Sequence, residues 1–343
     1  MAGLETLTRG DPYFVDGNVI LRSSSNILYR VHIGVLARQS DVFDVFRLPQ
    51  PNEPSSEHVL DGCPVIPMSD HPIELEHLLH ALYDGVTFHN NSVKDFYHLS
   101  AILRLSTKYC MNALRLKAIR YLAATWGTTL EGHDDIIHQA MTRPFNPENG
   151  SYPHVHPLHV LNLARETNVE VVIPSALYFL SLYPLPLLLE GSHPKLNVDV
   201  THPSRPSSQI GAQDIAHYGL IYQYRLEKML YFIRTLCLDR PLATNCSKAG
   251  TTSILAGRRV TFRNCSHVIN KMGAMLSRSW ELRTGPLHFM QQAVGELPKI
   301  GLCDPCREAF EEDVRALREE VWNRIPALVG LPSWDVLKRQ LEE

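Results

Sequence analysis

Residues 30–43 read RVHIGVLARQSDVF, and the hydrophobic period changes inside this run. On its N-terminal side, NVILRS (18–23) and ILYRVH (27–32) are rich in Val, Ile, Leu and Tyr and flank Ser24, Ser25 and Asn26. Short β-rich runs around a polar turn predict a hairpin. From Ile33 onward, Val35, Leu36, Val42, Phe43 and Phe46 suit two short helices. Ser40 stands where its hydroxyl would cap the second of them.

Outward from this run, residues 48–62 contain Pro49, Pro51 and Pro54 among polar residues and read as a loop. Residues 64–68 (PVIPM) read as a short strand, and the prolines place it at an edge. Leu75, Leu78, Leu79 and Leu82 then fall at helical spacing, with Asp70 as the expected cap, Pro72 in the first turn and Gly85 as the stop. Ser92 and Asp95 resemble a capping box before Phe96, Leu99, Ile102 and Leu103. After a break near Cys110, Ile119, Leu122, Ala123 and Trp126 line one face of a further helix.

By residue 126 this order resembles the BTB/POZ domain. The residues that carry the resemblance are Asp16 before the strand pair, then His32, Leu36, Ala37, Ser40 and Phe43. The wording of the run is similar to the large BTB group of mushroom-forming fungi, and residues 321–337 (VWNRIPALVGLPSWDVL) resemble the C-terminal part of those proteins. The resemblance covers residues 11–126. It implies an α+β fold of short strands with helical hairpins; beyond it, the residue patterns themselves predict a mainly helical region over 128–343 with a Pro/Ser-rich loop at 191–211. The resemblance also implies protein partners: self-association as a homodimer, a role as substrate adaptor for a cullin-type ubiquitin ligase, or a regulatory scaffold. Two features depart from the family. Ile33 follows the histidine where many members carry Arg or Lys, which argues against that route of peptide recruitment. Few residues precede Asp11, which argues against a long swapped arm. None of the motif residues is expected to be catalytic: Leu36 and Phe43 read as core, and His32 as a half-buried hydrogen-bonding histidine.

Composition is that of an ordinary globular protein. The 343 residues are 44% hydrophobic and 20% charged, with a formal net charge of -3. That balance argues against a general phosphate-binding surface and so against nucleic acid. Arg258, Arg259 and Arg263 read as a solvated loop. Residues 171–189 (VVIPSALYFLSLYPLPLLL) carry no charge, but Pro174, Pro184 and Pro186 interrupt them. A buried helix and a Pro-rich turn are expected there, not a membrane span. Seven cysteines without a leader-like N-terminus favour a reducing intracellular compartment, cytoplasmic or nuclear.

The remaining chemistry centres on Cys303-Asp-Pro-Cys306. Asp304 is the expected cap of the helix that follows, with Pro305 at its first position. A CxxC pair at a helix start can place two thiolates on one metal, and Cys246 and Cys265 complete a candidate zinc set, with His267 as a substitute. Three readings stay open: free, partly buried thiols; structural zinc; or thiol redox chemistry, for which the usual preceding strand is not evident. His154, His156 and His159 read as a solvated turn. Glu311, Glu312 and Asp313 read as a solvated helix face. No G-x-S-x-G, Walker-type or G-x-G-x-x-G run occurs, so no enzyme is expected. The competing class is a thiol redox or metal-dependent enzyme built on Cys303 and Cys306.

Overall fold

The computed structural model describes residues 7–44, 59–144, 151–249, 252–255, 258–261, 264–281 and 285–342. The fold is α+β, with a small five-stranded sheet and a predominance of helix. Val19–Arg22 (β2) and Ile27–Val31 (β3) form the expected antiparallel hairpin, with Val19 opposite Val31 and Arg22 opposite Leu28. Asn26 supplies the positive φ, 59°, that the turn needs. Thr8–Tyr13 (β1) adds a parallel strand beside β3.

The strand over Cys63–Pro67 (β5) is not at the edge. It lies parallel to β2, and the two residues Val59–Leu60 (β4) cover its other side, giving the order β1-β3-β2-β5-β4. Phe46 and the prolines of 49–54 lie outside the described residues.

Helices Ile33–Gln39 (α1) and Asp41–Asp44 (α2) follow β3, as the period change predicts. Leu36 and Phe43 are fully buried, whereas Val42 is exposed. Pro72–Tyr83 (α3), Val93–Lys108 (α4) and Asn112–Thr125 (α5) pack on the sheet. Ser92 caps α4 by accepting from the Asp95 N–H, while Asp95 accepts from the Asn91 N–H rather than from that of Ser92, so only the first half of the expected capping box forms. Asp70 does not cap α3. His71 does, its Nδ1 accepting from the Ile73 N–H, because Asp70 is taken by Lys108 Nζ at 2.6 Å and by the Tyr109 hydroxyl.

Helices α4 and α5 belong to two cores. Ile102, Leu105 and Leu114 face the sheet, while Phe96, Leu103, Ile119 and Leu122 face the C-terminal helices. The region after Trp126 comprises Leu130–Thr142 (α6), Pro157–Glu166 (α7), Ile173–Leu180 (α8), Leu185–Leu189 (α9), Ala212–Tyr231 (α10), Cys265–Ser279 (α11), Pro286–Glu296 (α12), Asp304–Leu328 (α13) and Trp334–Leu337 (α14). Helix α8 is buried along its whole length, and no helix among the described residues is long and apolar enough to cross a membrane. The chain end returns to α5, where Arg120 Nε donates to the Leu341 carbonyl at 2.7 Å.

A partly buried ionic network ties α6, α12 and α13. Arg318 reaches both Asp134 carboxylate oxygens at 2.5 and 2.7 Å and donates to the Leu287 carbonyl, and His133 Nδ1 lies 2.9 Å from Asp134. Burial alone would raise the Asp134 carboxyl, but the bonds to His133 and Arg318 hold it below the usual range.

The histidine turn is not solvated. His156 and His159 are buried. His156 caps α7 through the Leu158 N–H, and His159 Nε2 meets Ser208 Oγ at 2.8 Å. Desolvation pushes the His156 imidazole down to about 2 and that of His159 to about 4, and does the same to His77 (about 4) between α3 and α4. The folded state therefore excludes protons that the unfolded chain accepts below about pH 6.5. Stability is full above that pH and declines as pH falls from about 6.5 towards about 4, by roughly 1 kcal/mol or more per pH unit. Urea unfolding midpoints at pH 7.5, 6 and 5 check this; a midpoint constant across the series contradicts it.

Candidate metal centre and N-terminal motif

The four cysteines come from three chain segments that meet in space. Cys246 sits in a turn in which its N–H bonds the Ala243 carbonyl. Cys265 opens α11, where Asn264 caps by accepting from the His267 N–H. Cys303 is the N-cap of α13, so the cap is the cysteine and not Asp304, which begins the helix and pairs with Arg307. Cys306 lies one turn further in, its N–H bonded to the Cys303 carbonyl at 3.1 Å. Helix α11 is held close by Gly273, where an added Cβ would lie 2.4 Å from the Cys237 Cβ. Gly273→Ala is expected to displace α11 and cost about 1–3 kcal/mol; an unchanged melting temperature would show that the two helices separate freely.

All four side chains are buried, and the four Sγ atoms lie within 4.8 Å of one another. Cys303 Sγ is 3.6 Å from Cys265 Sγ and 3.7 Å from Cys246 Sγ. A disulfide needs about 2.05 Å, and all these cysteines are free. A tetrahedral zinc with Zn–S near 2.3 Å places its sulfurs about 3.8 Å apart. The two separations from Cys303 fit that geometry, and the set as a whole lies within 4.8 Å. His267, expected as a substitute ligand, is not in the group.

The electrostatics favour a thiolate at Cys303 and the neutral thiol at Cys265 and Cys306. Burial raises the Cys303 thiol, but N–H groups of Cys306 and Ser247 and the neighbouring thiols bring it down to about 6. Burial pushes Cys265 up, and Cys306 up to about 12. The N-termini of α11 and α13 both point their positive ends at the cluster. With one thiolate formed, its neighbours resist ionising together unless a cation joins them. Four protein sulfurs fill a tetrahedron and leave no position for water or substrate, which is the pattern of a structural site.

The N-terminal motif residues take packing and hydrogen-bonding roles. His32 Nδ1 lies 3.1 Å from the Tyr83 hydroxyl, which also accepts from the His32 N–H, and His32 Nε2 lies 3.5 Å from Asp16. The Phe14 ring lies tilted against both His32 and Tyr83. Ser40 Oγ donates to the Tyr109 carbonyl, so this hydroxyl ties α1–α2 to the end of α4. Ala37 is half-buried beside Leu36. Around the motif, Val15 and Val42 stay exposed.

The partly buried Arg318–Asp134–His133 group went unseen in the sequence. His133 and Asp134 are adjacent on α6, but Arg318 lies on α13, 184 residues further along the chain from Asp134. Comparison with protein-family models, with curated proteins and with solved structures found no match.

Proposed function

We propose that the chain is a protein-interaction module: a BTB/POZ-type N-terminal unit that mediates self-association or docks a cullin-type ubiquitin ligase scaffold, carried on a helical region stapled by structural zinc. The observation that supports it best is the path of the chain from Asp16 to Phe43. A strand pair enters a short helical pair whose signature residues are used for packing, while Val15 and Val42 remain at the surface. A fixed scaffold that leaves these two valines to solvent is compatible with binding.

The cysteine cluster supports zinc as a structural staple. Its donor set is complete, its sulfur spacing suits the ion, and its segments are far apart in sequence. The enzymatic alternative, a thiol redox or metal-dependent catalyst at Cys303 and Cys306, has less support, because a closed tetrathiolate gives a substrate no place on the metal. Affinity purification of the full chain, with Cys303→Ser alongside, separates these readings. The interaction reading predicts a stoichiometric protein partner or dimer for the native chain and no turnover of thiol substrates. A thiol-exchange or hydrolytic activity that disappears in Cys303→Ser would overturn it.

A further inference from the structure

We infer that the groove beside the cysteine centre binds an extended partner segment carrying Lys or Arg at alternate positions. This rests on the interaction reading above and names the chemistry of one partner.

The groove has a volume of about 550 Å3. Its walls are the same three segments that supply the thiols: the approach to Cys246 (Pro241, Leu242, Ala243), the start of α11 (Ser266, Ile269) and the start of α13 (Pro305 to Asp313), with Cys306 itself in the wall. A metal held by the four thiols would tie these walls together. The lining is mixed, and its apolar part comes from Leu236, Leu242, Ala243, Ile269 and Pro305 among polar residues such as Thr235, Thr244 and Asn245.

The rim is acidic. Glu308 and Glu312 are exposed, lie one turn apart on α13, and pair with no cation among the described residues. The cation that lines the groove is already engaged: Arg240 is buried, bonds Asp313 at 2.6 Å and lies over the Phe310 ring. A Lys or Arg side chain meets both surfaces, its stem on the apolar part of the lining and its charge at the rim. Residues one helical turn apart stand about 6 Å from each other, and alternate residues of an extended strand about 6.7 Å apart, so a Lys-x-Lys segment matches the Glu308–Glu312 pair.

The test uses the zinc-loaded full chain, with metal content measured on the same sample. Fluorescence anisotropy is read with the labelled peptide Gly-Ser-Lys-Leu-Lys-Ser-Gly and with the same peptide carrying Glu in place of Lys. The lysine peptide is expected to bind at least about tenfold tighter. The double variant Glu308→Lys/Glu312→Lys is expected to lose about tenfold or more, whereas Glu319→Lys, on the same helix outside the groove, keeps the native affinity. Equal binding of both peptides, or no loss in the double variant, overturns the proposal. So does light scattering in which the double variant dissociates a native dimer, because the occupant would then be a second copy of the chain. A chain that ignores the peptide yet still self-associates or binds a cullin-type scaffold loses only the groove assignment. One that does none of these loses the interaction reading as well.

Discussion

Cys265→Ser is expected to abolish stoichiometric zinc binding and to cause the largest loss of stability of any single change in this chain. The native protein should carry close to one zinc per chain by elemental analysis, and the variant close to none. The reason is geometric. Cys265 is fully buried, it sits 3.6 Å from Cys303, and its sulfur accepts from the Cys303 N–H at 3.4 Å. Around it the cluster has few apolar neighbours, Leu242, Ala243 and Leu302 being the partly buried ones. Further along, Ile269, Met272 and Leu276 of α11 and Phe310 of α13 are anchored in the main core, so an ion would fix chiefly the Cys246 turn and the two helix starts. Structural zinc contributes apparent free energies of about 10–16 kcal/mol in small fingers. Here the effect is confined to the segments around α11 and the start of α13, so hydrogen exchange should show protection lost there first while α4 and α5 stay protected. A metal-free native protein with full protection at residues 264–279 would refute the site.

Phe43→Ala is expected to destabilise the N-terminal core by about 3–5 kcal/mol. Phe43 is fully buried and its ring lies 5.0 Å from that of Tyr109. Tyr109 in turn gives its hydroxyl to Asp70 and its carbonyl to Ser40. Emptying the Phe43 site therefore loosens the contact that holds α1–α2 on the sheet and on the end of α4. The proposed binding edge should weaken together with stability, and zinc content should not change. Chemical denaturation of the full chain followed by near-ultraviolet circular dichroism checks the first point, and elemental analysis the second. A loss below about 1 kcal/mol would mean that α2 is not packed as described.

The N-terminal hairpin, the period change at Ile33 and the leucine face of α3 were legible in the sequence because each is written in local spacing. Strand β1 was not, since Arg9, Gly10 and Asp11 carry no β pattern and Pro12 argues against a strand. It forms as an edge strand, held by parallel pairing to β3. The cap of α3 was misjudged for the same kind of reason: Lys108 and Tyr109, far along the chain, compete for Asp70 and win. His156 and His159 are composed like a surface turn, yet the returning segment at 193–208 covers them. The four thiols could be named as a set, but their convergence could not. The intervals between Cys246, Cys265 and Cys303 do not follow a finger spacing, and only the meeting of two helix N-termini closes the group.

The interaction reading is tested most directly by light scattering on the purified full chain, alone over a range of concentrations and then mixed with a cullin-type scaffold. A mass of twice the chain, or a stoichiometric complex with the scaffold, weakened in either case by Val42→Asp at the exposed edge of α2, is the predicted result. A strict monomer at every concentration that forms no complex would contradict it.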